Sequence, residues 1–212
     1  MDKKFLQRYI EMGDEHLSAA QRTPIRFDAF TLSDDEKIKL IERNFREIML
    51  TLGLDLNDDS LAGTPHRVAK MYVEELFSGL NPANLPKATQ FENKYHYGEM
   101  LVERNISIKS LCEHHFVPIV GVAHIAYIPR TNVIGLSKLN RIAQHFARRP
   151  QVQERLTTEI AQHLMTALDT PDVAVIIDAK HFCVSMRGVQ DDASSTVTAA
   201  YLGAFEQPEK RE

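Results

Sequence analysis

Hydrophobic positions recur at helical spacing through the first ninety residues and at strand spacing soon after. Phe5, Tyr9 and Met12 lie on one face of a first amphipathic stretch. Residues 33–52 carry the strongest helical pattern: Ile38, Ile41, Phe45, Ile48 and Leu52 recur in steps of three and four, and Gly53 ends the run. Ser33 with Glu36 forms a capping box, in which each residue satisfies a backbone N–H that the helix start leaves open. Another helix is expected from Thr64-Pro65, with Pro in the first turn, where its missing N–H costs nothing. It carries Val68, Met71, Tyr72 and Leu76 inward and stops at Gly79. Residues 81–90, with two prolines, read as a linker.

The pattern changes near residue 91. Residues 100–109 and 116–129 are rich in β-branched and aromatic side chains and read as strands. Two helices are expected next. The first, 137–148, opens after Gly135 with Ser137 and closes before Pro150. The second, 151–168, places Val152, Leu156, Ile160, Leu164 and Leu168 on one stripe. Residues 173–178, 181–187 and 194–204 read as closing strands. Helices, two strands, two helices and two or three strands make an α+β chain, an antiparallel sheet with two helices on one face. The division falls into an N-terminal helical region, 1–90, and a catalytic domain, 91–212. An open sheet leaves two unpaired edges, and pairing with neighbouring subunits would cover them.

Composition narrows the functional classes. A net charge of −4 over 212 residues weighs against a general nucleic-acid binder. No stretch approaches the ~20 apolar residues of a membrane span. The polar, acidic start does not resemble a secretory signal, which points to the cytoplasm. Only two cysteines are present, Cys112 and Cys183, and a structural disulfide is not expected in that compartment.

Those cysteines have informative neighbours. Cys112-Glu113-His114-His115 falls on the turn between two strands, and His181-Phe182-Cys183 lies in a third. If the strands are adjacent, Cys112, His115 and Cys183 converge. Two thiolates and an imidazole suit Zn²⁺, and three protein ligands leave a fourth position for water, the mark of a catalytic rather than a structural site. His181 would share a strand face with Cys183, placing a proton carrier beside the metal. His114 is left over next to it. A second cluster, Gly135 to Arg141, offers a helix N-terminus with Ser137, Lys138 and Arg141, to which Arg67 and Arg187 could add. A solvated basic face explains those residues as well. Beside the metal lobe, however, they suggest a small phosphorylated substrate. Gln153 and Glu154 open the next helix. Glu154 either favours the helix start or recognises a neighbouring pair of N–H donors such as guanine presents; composition does not choose.

Five motifs together resemble GTP cyclohydrolase I: Cys112-Glu-His-His-Phe116, Gly-Leu-Ser-Lys-Leu-Asn-Arg141, Arg-Pro-Gln-Val-Gln-Glu-Arg155, His-Phe-Cys183 and Thr-Pro-His-Arg-Val-Ala-Lys70. The likeness spans roughly residues 35–205, with the motifs in the expected order. It implies a zinc enzyme converting GTP and water to 7,8-dihydroneopterin triphosphate and formate. It also implies a tunnelling fold whose sheets join across subunits into barrels, and a homodecamer of two stacked pentamers with sites at subunit interfaces. By the same resemblance Cys112, His115 and Cys183 match the zinc ligands. His181, His114 and Ser137 match catalytic residues. Lys138, Arg141, Arg187 and Arg67 match a triphosphate clamp, and Gln153 with Glu154 match the guanine-reading pair. A zinc nucleobase deaminase would need His-x-Glu and Pro-Cys-x-x-Cys, and neither is present. A scaffold protein of the same fold would have no use for His181 or Ser137. A related nitrile reductase would need a nucleophilic cysteine, whereas both cysteines here serve better as ligands.

Overall fold

The computed structural model describes Lys4, Gln7, Arg8 and residues 20–87 and 90–210. The expected face of Phe5, Tyr9 and Met12 lies outside the described residues. Helix α1 (Asp34–Thr51) begins at the Ser33 capping box: Glu36 N–H donates to Ser33 Oγ at 3.3 Å, and Ser33 N–H donates to Glu36 Oε2 at 2.8 Å. Gly53 follows in the left-handed region at φ 83°, where a residue without Cβ ends a helix at little cost. The inward face differs from the expected one. Ile38 and Met49 are buried, whereas Ile48 is 51% and Leu52 73% exposed. α1 packs along one side only, and Met49 rather than Ile48 takes that contact.

A short helix α2 (Asp59–Ala62) leads into α3 (Thr64–Lys70), whose N-cap is Gly63 rather than Thr64. α3 widens into a π-helical turn over Met71–Leu76, and Gly79 lies buried beyond it. Gly79 approaches the chain after residue 145 closely: its N–H donates to Arg148 O at 2.9 Å.

Seven strands follow among the described residues: β1 (Gln90–Glu92), β2 (Leu101–Cys112), β3 (Pro118–Tyr127), β4 (Asn132–Ile134), β5 (Pro150–Gln151), β6 (Val173–His181) and β7 (Thr196–Tyr201). β1 pairs with β4 in a small separate sheet, so the expected linker ends in a short strand. The main sheet runs β5-β2-β3-β6-β7; β5 is parallel to β2 and the other neighbours are antiparallel. Helices α4 (Leu136–Ala147) and α5 (Gln153–Leu168) cover it. Their stripes, Leu139, Ile142 and Ala143 with Leu156, Ile160, Leu164 and Leu168, join Ile106, Ile108, Ile119, Ile125, Val175 and Ile177 in one core. The chain is therefore α+β, as the pattern of elements predicts.

One expected strand is corrected. Residues 181–187 do not continue β6: the strand ends at His181, and Phe182–Ser185 form a helical turn, α6. The β3–β6 ladder closes at Ile119 opposite His181. The next residue on β3 is Pro118, which has no N–H to extend it.

Candidate metal centre and active site

Three chain segments meet at one end of the sheet. β2 delivers Cys112 to the edge, and Leu111 pairs with Pro118 on the returning β3. The tight turn between them closes through Phe116 N–H to Cys112 O at 2.9 Å and Cys112 N–H to Val117 O at 2.9 Å. Phe116 sits in the left-handed region at φ 51°. β6 ends alongside at His181, and the turn α6 swings Cys183 back over the loop. Cys183 is thus placed by a helical turn and not by strand alternation. Gln151 in β5 lies opposite Cys112, which sets the start of α5 beside the same loop.

The outcome is a Cys112, His115 and Cys183 group whose ligand atoms all lie within 4.8 Å of one another. Both cysteines are free thiols. This group can hold a metal ion, and two soft sulfurs, one imidazole and, among the described residues, no fourth protein ligand fit an open zinc-type site. Burial first, then the adjacent Cys112 sulfur, pushes the Cys183 thiol above its usual range. Arg187 Nη1 lies 3.1 Å from His115 Nε2, and His114 Nδ1 lies 3.8 Å from Cys112 Sγ.

His181 stands next to this group. Its Nε2 is 2.7 Å from Gln153 Oε1. Gln153 is 1% exposed, and its amide nitrogen donates to Ile177 O at 3.0 Å and Thr196 O at 2.7 Å. Both ends of this amide are therefore engaged within the chain. With the nitrogen held by two carbonyls, Oε1 must face His181, so His181 Nε2 carries the hydrogen of that bond. Burial lowers the His181 pKa, and the nearby Glu154 carboxylate opposes that shift. Glu154 itself is exposed at the rim.

The basic residues lie elsewhere in the same chain. β3 runs away from the metal loop, and β4 and the start of α4 follow at its far end. Ser137 and Lys138 therefore sit a helix length from the metal loop, roughly 18 Å for twelve residues. Arg141, one turn on, lines a separate cavity of about 370 Å³ with Glu74, Asn84, Gln144 and Arg148. Arg67 is occupied locally, donating to Ser60 O at 3.2 Å and Thr64 Oγ1 at 2.9 Å. Of the expected clamp, only Arg187 reaches the metal group within one chain.

Glu113, Gln151 and Arg155, to which the sequence pattern gives no role, form a polar cluster behind the loop, with Gln151 and Arg155 buried and Glu113 half-buried. The available signal was a charged residue, Arg155, beside Leu156 of the apolar stripe.

Fold and geometry together define an α+β protein with an open, sulfur-rich group that can hold a metal ion and a histidine held at its side. Comparison with known proteins makes the class specific. The GTP cyclohydrolase I family profile matches residues 41–212. GTP cyclohydrolase 1 of Flavobacterium johnsoniae is 58% identical over 203 residues, 95% of this chain and 91% of that protein. GTP cyclohydrolase 1 of Aeromonas hydrophila is 58% identical over 190 residues, 89% of this chain and 86% of that one. A crystal structure of the archaeosine synthase QueF-Like in the apo form matches 51% of this chain at 17% identity, with a TM-score of 0.40. The chain belongs to the GTP cyclohydrolase I family.

Proposed function

We propose that this chain performs the GTP cyclohydrolase I reaction, converting GTP and water to 7,8-dihydroneopterin triphosphate and formate, with the following division of labour. Cys112, His115 and Cys183 would hold a zinc ion. When bound, that ion supplies the Lewis acidity that makes water nucleophilic near neutral pH. His181, held through Gln153, gives a proton to guanine N7 as the imidazole ring opens. His114 assists the proton transfers that release formate. Glu154 accepts hydrogen bonds from guanine N1–H and the exocyclic amine. Gln153, fully engaged within the chain, contributes to base reading by fixing what stands next to Glu154. Ser137 serves the ribose rearrangement, and Lys138, Arg141, Arg67 and Arg187 neutralise the triphosphate.

The observation that carries this reading is the convergence of Cys112, His115 and Cys183 with His181 at one end of the sheet. The distance to the start of α4 supports a second element: the part of the phosphate site carried by Lys138 and Arg141 comes from a neighbouring subunit, opposite Arg187. A homodecamer of stacked pentamers provides this, its sheets joined edge to edge through strands such as β7 into a tunnelling-fold barrel. In that assembly residues 1–90 form the helical region and 91–212 the catalytic domain. Among the described residues no helix is long and apolar enough to cross a membrane. A nucleotide substrate and free thiols suit the cytoplasm.

The direct test incubates purified protein with GTP and measures formate together with the fluorescent, oxidised pterin. Formation of neither product overturns the reading. Adenine has no 2-amino group and an acceptor at N1, so ATP would leave Glu154 unpaired. A lost charged hydrogen bond costs about 1.5–3 kcal/mol, and discrimination against ATP should reach at least ~10²-fold. Glu154→Gln should lose most GTP turnover while metal content and melting behaviour stay nearly unchanged. Wild-type kinetics in that variant would return Glu154 to helix stabilisation alone.

A further inference from the structure

The Cys112–Phe116 loop presents two consecutive histidines to one sulfur. His114 Nδ1 lies 3.8 Å and His115 Nδ1 4.0 Å from Cys112 Sγ, so proximity to that sulfur does not choose between them. His115 alone of the two groups with both sulfurs, and Glu113 faces the other histidine. The Glu113 N–H donates to Gln151 O at 3.0 Å. One carboxylate oxygen takes a hydrogen bond from the Arg155 guanidinium, and the other lies 3.9 Å from His114 Nε2. The Arg155 side chain is only 3% exposed. It also donates to Gln151 Oε1 at 2.8 Å and to Pro150 O at 3.0 Å.

The anchorage continues away from the loop. Gln151 donates to Glu159 Oε2 at 2.9 Å and Phe146 O at 3.0 Å. Glu159 faces Arg149 at 3.6 Å, and Arg149 donates to Gly79 O at 2.7 Å. On its other side the loop is braced by Phe116, edge-on to Phe77 with ring centroids 5.4 Å apart. A buried guanidinium that engages one carboxylate, one amide and two carbonyls, Pro150 O and Ala20 O, is held from several directions, and the loop is tied to it through Glu113.

We infer that Glu113 and Arg155 are positioning residues for the metal group: the pair clamps the loop with Glu113 facing His114, so that His115 completes the set with Cys112 and Cys183. This rests on the reading of those three residues as metal ligands. Lysine cannot replace the clamp, because a single ammonium does not reproduce the planar fork. Outer partners of metal ligands are worth roughly 10–100-fold in metal affinity.

The test uses the full-length protein with Co²⁺ exchanged into the site and challenged with rising concentrations of a competing chelator. The thiolate-to-cobalt charge-transfer band reports ligation. Wild type should hold the ion and Cys183→Ser should lose the band. If Cys183→Ser retains it, the metal reading itself fails, independently of the loop. Glu113→Gln should hold Co²⁺ roughly 10–100-fold more weakly, with the melting temperature of the loaded protein nearly unchanged. Arg155→Lys should do the same, and the double variant should be no weaker than the weaker single, because the two act as one pair. Wild-type affinity in Glu113→Gln overturns the inference, as does additive weakening in the double variant. A loss of affinity that comes only with a general loss of stability also overturns it. If Arg155→Lys does not fold, Glu113→Gln alone decides.

Discussion

At the scale of single residues, environment separates the histidines by task. His181 meets Gln153 at the edge of the metal group, which suits a proton carrier. Replacing His181 by Ala should leave metal content intact and slow ring opening by roughly 10²–10⁴-fold, the usual share of general acid–base catalysis. Loss of metal from that variant would make His181 a ligand instead. His145 is a buried structural group. Its Nε2 accepts from Arg149 Nη2 at 2.9 Å, and burial first, then the Arg149 charge, lowers its pKa to about 4. An unfolded histidine titrates near ~6.5, so above that pH neither state binds the proton. As pH falls from there toward 4, the unfolded chain takes up a proton that the folded chain refuses. The folded state then loses up to about 3 kcal/mol, and below pH 4 the loss stops growing. Urea midpoints measured between about pH 7.5 and 4.5 should fall more steeply for wild type than for His145→Gln. Parallel curves would refute the role given to His145.

Elements meet at a few close approaches, and one of them joins the N-terminal helices to α4. A Cβ on Gly79 would lie 2.0 Å from His145 O and 2.8 Å from Arg148 O. Both obstacles are backbone at the end of a packed helix, so they cannot rotate aside. Gly79→Ala should therefore cost about 3 kcal/mol, the upper end of overpacking penalties, and lower the urea midpoint without altering metal content. Unchanged stability would mean that the helical region shifts freely against the sheet. From sequence this glycine reads as a helix stop. Its packing role needed the position of residue 145, 66 positions later in the chain, and only the fold brings the two together.

For the whole molecule, the two halves of the proposed site stand at opposite ends of one chain. A site shared between subunits predicts complementation. Cys183→Ser and Lys138→Ala should each be inactive alone, the first without metal and the second without its phosphate contact. Co-expressed in mixed oligomers, they should recover activity that neither parent shows, because some interfaces pair an intact metal loop with an intact α4. Mixed oligomers that form but stay inactive would place both halves of the site within one subunit.

Periodicity and local chemistry were enough to read the α+β order, the capped α1 and the stripe on α5, because burial imposes repeats of two or 3.6 on nearby residues. They also singled out Cys112, His115 and Cys183, because so few side chains can ligate a soft metal. Three things were decided only by tertiary structure. Cys183 arrives through a helical turn, because Pro118 ends the ladder that strand propensity would have continued. Gln153 turns inward to His181, because carbonyls of β6 and β7 hold its amide. Glu113 and Arg155 join across 42 positions, and such a long-range pair leaves no periodic trace. Local patterns follow from neighbours a few residues apart, whereas a site depends on which distant segments the sheet register sets side by side.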